Sequence, residues 1–336
     1  MSTTDRSRGV SLTRREALAL GIGAFAVVAG PLAVRRRPGL VRRTVPVMGT
    51  VAEFAVVPGG RTPAQAAIDA AVDELRRVER LMTRFSETSD VGRANRLAAV
   101  RAVVVSGETA LVLGEALAWA AASDGRFDPA LGRLIRLWNV GERRTPPPEA
   151  AARALEGRRL YREVELDTWR GEAVVRFTDR DVEVDLGGIA KGYGVDRAVA
   201  VLRREGVRQA IVNVGGDLYA LGASADEAPW RVGIRSPEDP DRMVETLEVR
   251  DAAVATSGDY LQYFQHGGRR YHHLLDPVTG EPHRTPVHSV TVRAGTCLVA
   301  DAAATAVFGM GDLRAATLLE ARAAGARVVN VVSERA

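Results

Sequence analysis

Cysteine is almost absent: Cys297 stands alone among 336 residues. No intrachain disulfide can form, and no metal can be held by a cysteine cluster. The five histidines, His266, His272, His273, His283 and His288, lack the ligand spacing of a zinc site. Neither a Walker A loop nor a GxGxxG fingerprint occurs, so the common nucleotide folds are not indicated. The formal charge is only +4, with much of the excess near the N-terminus. That leaves no nucleic-acid footprint, although a basic channel for an anionic ligand remains compatible with it. There is no heptad array and no fixed-period repeat. What is present, 46% hydrophobic and 26% charged residues, is enough to bury a large core in one or two domains.

The N-terminus reads as a leader. Arg14 and Arg15 follow Thr13 and directly precede an apolar run over residues 17–34. This resembles a twin-arginine export signal, with Ala17 where a bulky apolar residue is usual. Gly21, Gly23, Gly30 and Pro31 interrupt the run, so it reads as a mild helix rather than a strong membrane anchor. An ordinary transmembrane anchor is the alternative. A buried helix is disfavoured by the basic clusters on both sides, Arg14–Arg15 and residues 35–37. No small-x-small cleavage site is visible, and no cysteine is there to carry a lipid. The chain thus divides into a leader and basic linker, residues 1–43, and one domain, residues 44–336. The domain is expected on the extracytoplasmic side of the cell membrane.

The domain is organised around residues 182–220. Apolar residues alternate with Glu183 and Asp185, predicting a strand over 182–186. Gly187 and Gly188 break it, and a helix follows from about residue 190 towards 205, with Val195, Ala198, Val199 and Leu202 on its buried face. Gly206 is a natural stop, and residues 210–214 form a second strand ending at Gly215 and Gly216. A glycine pair between strand and helix brings backbone N–H groups, a positive dipole end and Lys191 together, an arrangement suited to a phosphate or pyrophosphate. The same glycines would equally serve tight packing.

Elsewhere, residues 45–57 read as one strand, with Met48, Gly49 and Thr50 forming a bulge inside it. A helix over 63–82 has Thr62 as its cap, Pro63 at its first position, and Ala67, Ala71, Leu75 and Val78 facing inward. Residues 83–96 are too rich in Ser, Thr and Gly for regular structure. Asp128 before Pro129 reads as another helix cap. Residues 269–275 read as a strand, so His272 and His273 point to opposite faces, and His272 reads as the surface one. A helix covers 298–310, placing Asp301 and Thr305 on one face, four residues apart. A carboxylate and a hydroxyl so placed are hard oxygen ligands suited to Mg2+; a dipole-favoured Asp and a back-bonded Thr are the plain alternative. A neutral imidazole near a nucleotide can act as general base. Asp276, before Pro277, reads as a turn former.

Taken in order, MGT at 48–50, TRFSETSDVGRANR, FDPALGRLIRLW, DLGGIAKGYGVD, NVGGDLYALG, ATSGDY, HHLLDPVTG and ADAAATAVFGMG form a series. It resembles the FAD:protein FMN transferase family, the ApbE-type flavin transferases, and spans residues 44–332. The resemblance implies an α+β fold, antiparallel-rich sheets with packed helices and a cofactor cleft. It implies an exported, Mg2+-dependent enzyme that cleaves FAD, releases AMP and places FMN on a Thr or Ser hydroxyl of an acceptor, a redox protein at the membrane. The implied metal ligands are Asp301, Thr305 and the Ala190 carbonyl. Implied FAD contacts are Met48, Asp259, and Gly187, Gly188 and Lys191 of the turn. His273 is the implied general base and Asp276 the acidic partner that holds the local turn and polar network. Thr83 and Gly92 stand where serine is common in the family, and the lipid-bearing cysteine is absent. The rival readings are a metal-dependent FAD pyrophosphatase and a non-catalytic flavin-binding protein.

Overall fold

The computed structural model describes residues 25–27, 39–239, 241–260 and 262–334. At its centre, seven strands lie side by side in chain order: β1 (Val41–Val47), β2 (Thr50–Val56), β3 (Ala210–Val214), β4 (Asp217–Leu221), β5 (Ala252–Gly258), β6 (Val287–Ala294) and β7 (Arg327–Ser333). Every neighbouring pair is antiparallel. Side chains alternate between the two faces. Phe54, Val212, Tyr219 and Ala253 enter the main core, whereas Ala55, Ile211, Leu218 and Val254 meet Trp230, Val232 and Ile234 on the other side. With both faces covered, β3 is buried along its whole length, which is why it reads as an almost unbroken apolar run.

Three helices pack on the main-core side: α1 (Ala64–Met82), α2 (Ala190–Arg204) and α3 (Cys297–Val307), with α1 against α2 and α2 against α3. α1 buries Ala67, Ala71, Leu75 and Val78, the inward stripe that its spacing predicts. The other face is covered by the antiparallel pair Trp230–Arg235 and Met243–Val249. A separate three-stranded sheet joins Val103–Val105, Glu172–Phe177 and Val164–Trp169. The architecture is α+β with antiparallel sheets, as expected.

Several local expectations fail for identifiable reasons. Residues 45–57 are two strands, not one, because Met48 (φ 55°) and Gly49 (φ 68°) form a two-residue hairpin turn; two positive φ values suit the twist of the flanking strands. Residues 182–186 enter no sheet; the segment makes only an isolated parallel bridge, Glu183 with Leu131. Val182, Val184 and Leu186 are buried as their alternation requires, but the Asn95 amide takes both the N–H and the C=O of Val184, at 2.6 and 2.8 Å. Asp185 N–H donates to the Pro129 carbonyl and Gly132 N–H to the Glu183 carbonyl. The polar stretch 83–96 contains a helix, Asp90–Leu97, whose cap Ser89 accepts from Gly92 N–H at 2.9 Å.

Asp128 caps no helix. It accepts from Ala130 N–H at 2.8 Å as an Asx turn, and the helix begins only at Gly132. Pro63 itself occupies the cap position of α1, while Thr62 donates to Glu205 at 2.9 Å. In the leader, Arg14, Arg15 and most of the apolar run lie outside the described residues. Phe25–Val27, expected as helix, is instead a strand paired antiparallel with Trp230–Arg235. Among the described residues no helix is long and apolar enough to cross a membrane. β1 begins at Val41, so the sheet starts before the expected boundary at residue 44.

Candidate active site

α2 and α3 meet at backbone contact because Gly192 carries no side chain. A Cβ there would stand 2.3 Å from the Cys297 carbonyl oxygen and 2.8 Å from Asp301 Cβ. Asp196 of α2 fastens the junction by accepting from Cys297 N–H and Leu298 N–H at 2.8 and 2.9 Å, the first amides of α3. This approach sets Lys191, in the first turn of α2, beside Asp301. The ammonium lies 3.2 Å from each Asp301 oxygen, 2.8 Å from Asp217 Oδ2 and 3.1 Å from the Gly187 carbonyl. Asp301 Oδ2 also accepts from Gly192 N–H at 3.0 Å. Both carboxylates are buried. Burial, with Asp301 alongside, raises the Asp217 carboxyl above its ordinary range, and the paired Lys191 ammonium opposes that rise. Burial alone would lower the Lys191 ammonium, but the two carboxylates outweigh it and hold the lysine above its ordinary range.

One turn along α3, Thr305 Oγ1 lies 3.3 Å from Ser257 Oγ on β5, and a Cβ on Gly188 would stand 3.4 Å from the same hydroxyl. Asp301, Thr305 and the Gly187–Lys191 turn are thus one neighbourhood. The donors placed here, the buried Asp301 carboxylate, the Thr305 hydroxyl and the Gly187 carbonyl, are all hard oxygen and fit Mg2+; Ala190, expected to contribute its carbonyl, is the first residue of α2. The Lys191 ammonium already marks a point beside Asp301 where positive charge is stable. Among the described residues no cluster of three or more His, Cys, Asp or Glu side chains could hold a metal, so any ion here relies on hydroxyl and backbone oxygens.

Residues 269–275 are not one strand: Arg269–His272 ends before His273, and Leu275–Asp276 forms a separate short pair with Glu281–Pro282. The two histidines still diverge. His272 is buried, not on the surface, with Nε2 3.1 Å from the His283 carbonyl and its ring edge-on to Phe308. Burial pushes it down to about 4. His273 is half-buried, with Nδ1 turned to the Gln262 carbonyl at 3.4 Å. Burial is the main cause, and the charge of Lys191 a further one, of an imidazole pushed down to about 4. His273 is therefore neutral across the physiological range, the form a general base requires.

The remaining expected residues divide. Met48, at the hairpin tip, packs its sulfur against α2, 3.0 Å from where a Cβ of Gly194 would stand. Asp259 is held by His288 Nδ1 at 3.0 Å and by Arg270 at 3.3 Å. Gly187 N–H is occupied, donating to Asp185 Oδ1 at 2.7 Å, and Asp185 in turn pairs with Arg84. Of the donors expected for a phosphate, Lys191 and Gly187 N–H are thus engaged internally. Asp276 closes its own turn, accepting from Val278 N–H at 2.9 Å, and makes no hydrogen bond to His273. Two clefts of about 360 and 370 Å3 lie elsewhere and include none of these residues.

The ApbE family model matches residues 48–329. The chain belongs to the ApbE family. Its relatives include proteins named FAD:protein FMN transferase. The one from Treponema pallidum is 36% identical over 293 residues, 81% of this chain and 79% of its own. The one from Vibrio cholerae is 34% identical over 258 residues, 76% of each. Among solved structures, the ApbE protein from Thermotoga maritima superposes with a TM-score of 0.77 at 29% identity, covering 88% of this chain and 97% of that one. The flavin transferase ApbE from Vibrio cholerae gives 0.74 at 30% identity, over 84% and 90%. This ApbE-family chain is an enzyme of the flavin-transferase kind. Sequence reasoning missed Asp217 in its site. The available signal was a carboxylate placed straight after a Gly-Gly turn at the head of an apolar strand, where burial demands a cationic partner.

Proposed function

We propose that this chain transfers FMN from FAD to a Thr or Ser hydroxyl of an acceptor protein and releases AMP, with Mg2+ as its metal. The observation that carries the reading is the buried Asp301 carboxylate, adjacent to Thr305 and stabilised by a cation, in a fold that also presents a neutral, half-buried His273. Asp301, Thr305 and the Ala190 carbonyl would hold Mg2+, which when bound supplies neutralisation of pyrophosphate charge. His273, with Nδ1 turned to the Gln262 carbonyl, would take the acceptor's hydroxyl proton on Nε2. The hydroxyl oxygen bonds to the FMN phosphorus as the bond from that phosphorus to the AMP oxygen breaks, AMP leaving with the electron pair. Met48 and Asp259 line the flavin's path in this reading.

The acceptor is a redox protein at the membrane, and the leader delivers the enzyme to the extracytoplasmic side. That reading rests on Arg14 and Arg15 ahead of the apolar run and on the family resemblance. The decisive experiment incubates purified protein with FAD and Mg2+, with and without a candidate acceptor, and follows AMP and protein-bound flavin fluorescence. Transfer predicts both signals together, dependent on acceptor and lost with EDTA. AMP without acceptor labelling would make the chain a pyrophosphatase, and flavin binding without AMP a carrier.

A further inference from the structure

The Lys191 ammonium touches both oxygens of Asp301, the carboxylate assigned above to Mg2+. A divalent ion and this ammonium cannot both hold Asp301 in the same way. The two acidic partners of Lys191 are not equivalent. Asp301 Oδ2 has a second donor, Gly192 N–H at 3.0 Å, and this backbone amide keeps the carboxylate in place whether or not the lysine stays. Asp217 is buried at the head of β4, and its carboxylate is paired with Lys191 at 2.8 Å. Taking the lysine from Asp301 leaves a charge that an incoming ion neutralises. Taking it from Asp217 would leave a buried carboxylate with no counter-charge, the costlier separation.

We propose that Lys191 is the resident cation of the metal-free site and that Asp217 is a positioning residue. When Mg2+ takes Asp301, Lys191 withdraws onto Asp217, which retains it. This inference rests on the reading of Asp301 as metal ligand. It makes Lys191 a competitor for the metal position as well as a charge near the pyrophosphate, and it gives Asp217 the task of setting how readily the lysine lets go.

Two effects must be separated, because removing any positive charge near an ion tightens its binding and removing any negative charge weakens it. A double-mutant cycle separates them. Mg2+ alone is titrated by calorimetry into the full chain, and thermal unfolding is followed with and without Mg2+, for wild type, Lys191→Met, Asp217→Asn and the double variant. Lys191→Met should lower the melting temperature of the metal-free protein, yet bind Mg2+ more tightly than wild type. Asp217→Asn should weaken Mg2+ binding about tenfold or more, because the lysine then clings to Asp301. In the Lys191→Met background that effect should largely vanish.

An Asp217→Asn effect of equal size in both backgrounds would show simple charge attraction and overturn the proposal. Weaker Mg2+ binding by Lys191→Met would overturn it as well, by making the lysine an aid to the metal. No Mg2+ binding by either wild type or Lys191→Met would also end it; FAD binding, measured separately by flavin fluorescence quenching, tells whether the flavin reading survives that result. Where Asp217→Asn folds poorly, Lys191→Arg replaces it. A guanidinium pairing with Asp301 more firmly than an ammonium should weaken Mg2+ binding, and unchanged affinity there counts against the competition.

Discussion

His272 and His273 are neighbours in sequence, the first buried in the core and the second proposed as the general base. His273→Ala should leave FAD binding nearly intact while lowering turnover about 10²–10⁴-fold, the usual worth of a general base. With the imidazole at about 4, the wild-type rate should hold down to about pH 5 and fall only as the ring is protonated below that. The variant should lack that acid limb. Full turnover and an unchanged pH profile in His273→Ala would move the base elsewhere. His272→Ala acts on stability instead. It removes a buried ring packed on Phe308 and bonded to the His283 carbonyl, at a cost of about 2–4 kcal/mol. Its folded pKa of about 4 lies below the unfolded value near 6.5. The unfolded chain therefore binds more protons between those values. The contribution of His272 is full above about pH 6.5 and is lost as pH falls towards 4. Denaturant melts of both proteins across that range would show a shallower acid decline in the variant.

At the scale of elements, the site depends on a contact between two helices. α2 and α3 can bring Lys191 and Asp301 together only because Gly192 allows Cys297 to approach within what would be 2.3 Å of a Cβ. Gly192→Ala should force the helices apart, costing about 1–3 kcal/mol or more, since the opposing atom is backbone and cannot rotate away. On the proposed reading of Asp301 as a Mg2+ ligand it should also reduce stabilisation by added Mg2+, because Asp301 loses its alignment with Thr305 and with Gly192 N–H. Unchanged melting together with unchanged Mg2+ response would show that the helices accommodate a methyl group and that their close approach does not set the site. The turn just before α2 is a second case. Its glycines read equally well as a phosphate cradle or as packing. The structure ties Gly187 N–H to Asp185, and a Cβ on Gly188 would stand 3.2 Å from the Phe127 ring and 3.4 Å from the Thr305 hydroxyl.

At the scale of the molecule, a seven-stranded sheet with helices on one face and strands on the other holds the site where α2 and α3 lie near the end of β5. The strand Phe25–Val27 covers the free side of Trp230–Arg235, an edge that would otherwise present unpaired backbone groups. Localisation is a property of the whole chain. Replacing Arg14 and Arg15 together by Lys should stop export while purified protein keeps its activity. Cell fractionation showing the variant still exported would remove the twin-arginine reading.

The sequence alone determined what periodicity and ordered motifs can carry. The buried stripe Ala67, Ala71, Leu75 and Val78, the helix from Ala190 stopped by Gly206, and the pairing of Asp301 with Thr305 on one face all follow from local spacing. The order of the motifs identified the family. What spacing cannot carry is which distant groups satisfy a backbone or a charge. The strand pattern at residues 182–186 was genuine, yet the Asn95 side chain, 89 residues away, took its central amide and denied it a place in a sheet. Met48 and Gly49 became a hairpin because the next seven residues fold back on the previous ones. Asp217, Lys191 and Asp301 lie on three separate elements, and their charges became one unit only when Gly192 let two helices touch. A buried charge announces in sequence that it needs a partner; only the tertiary structure decides which one it finds.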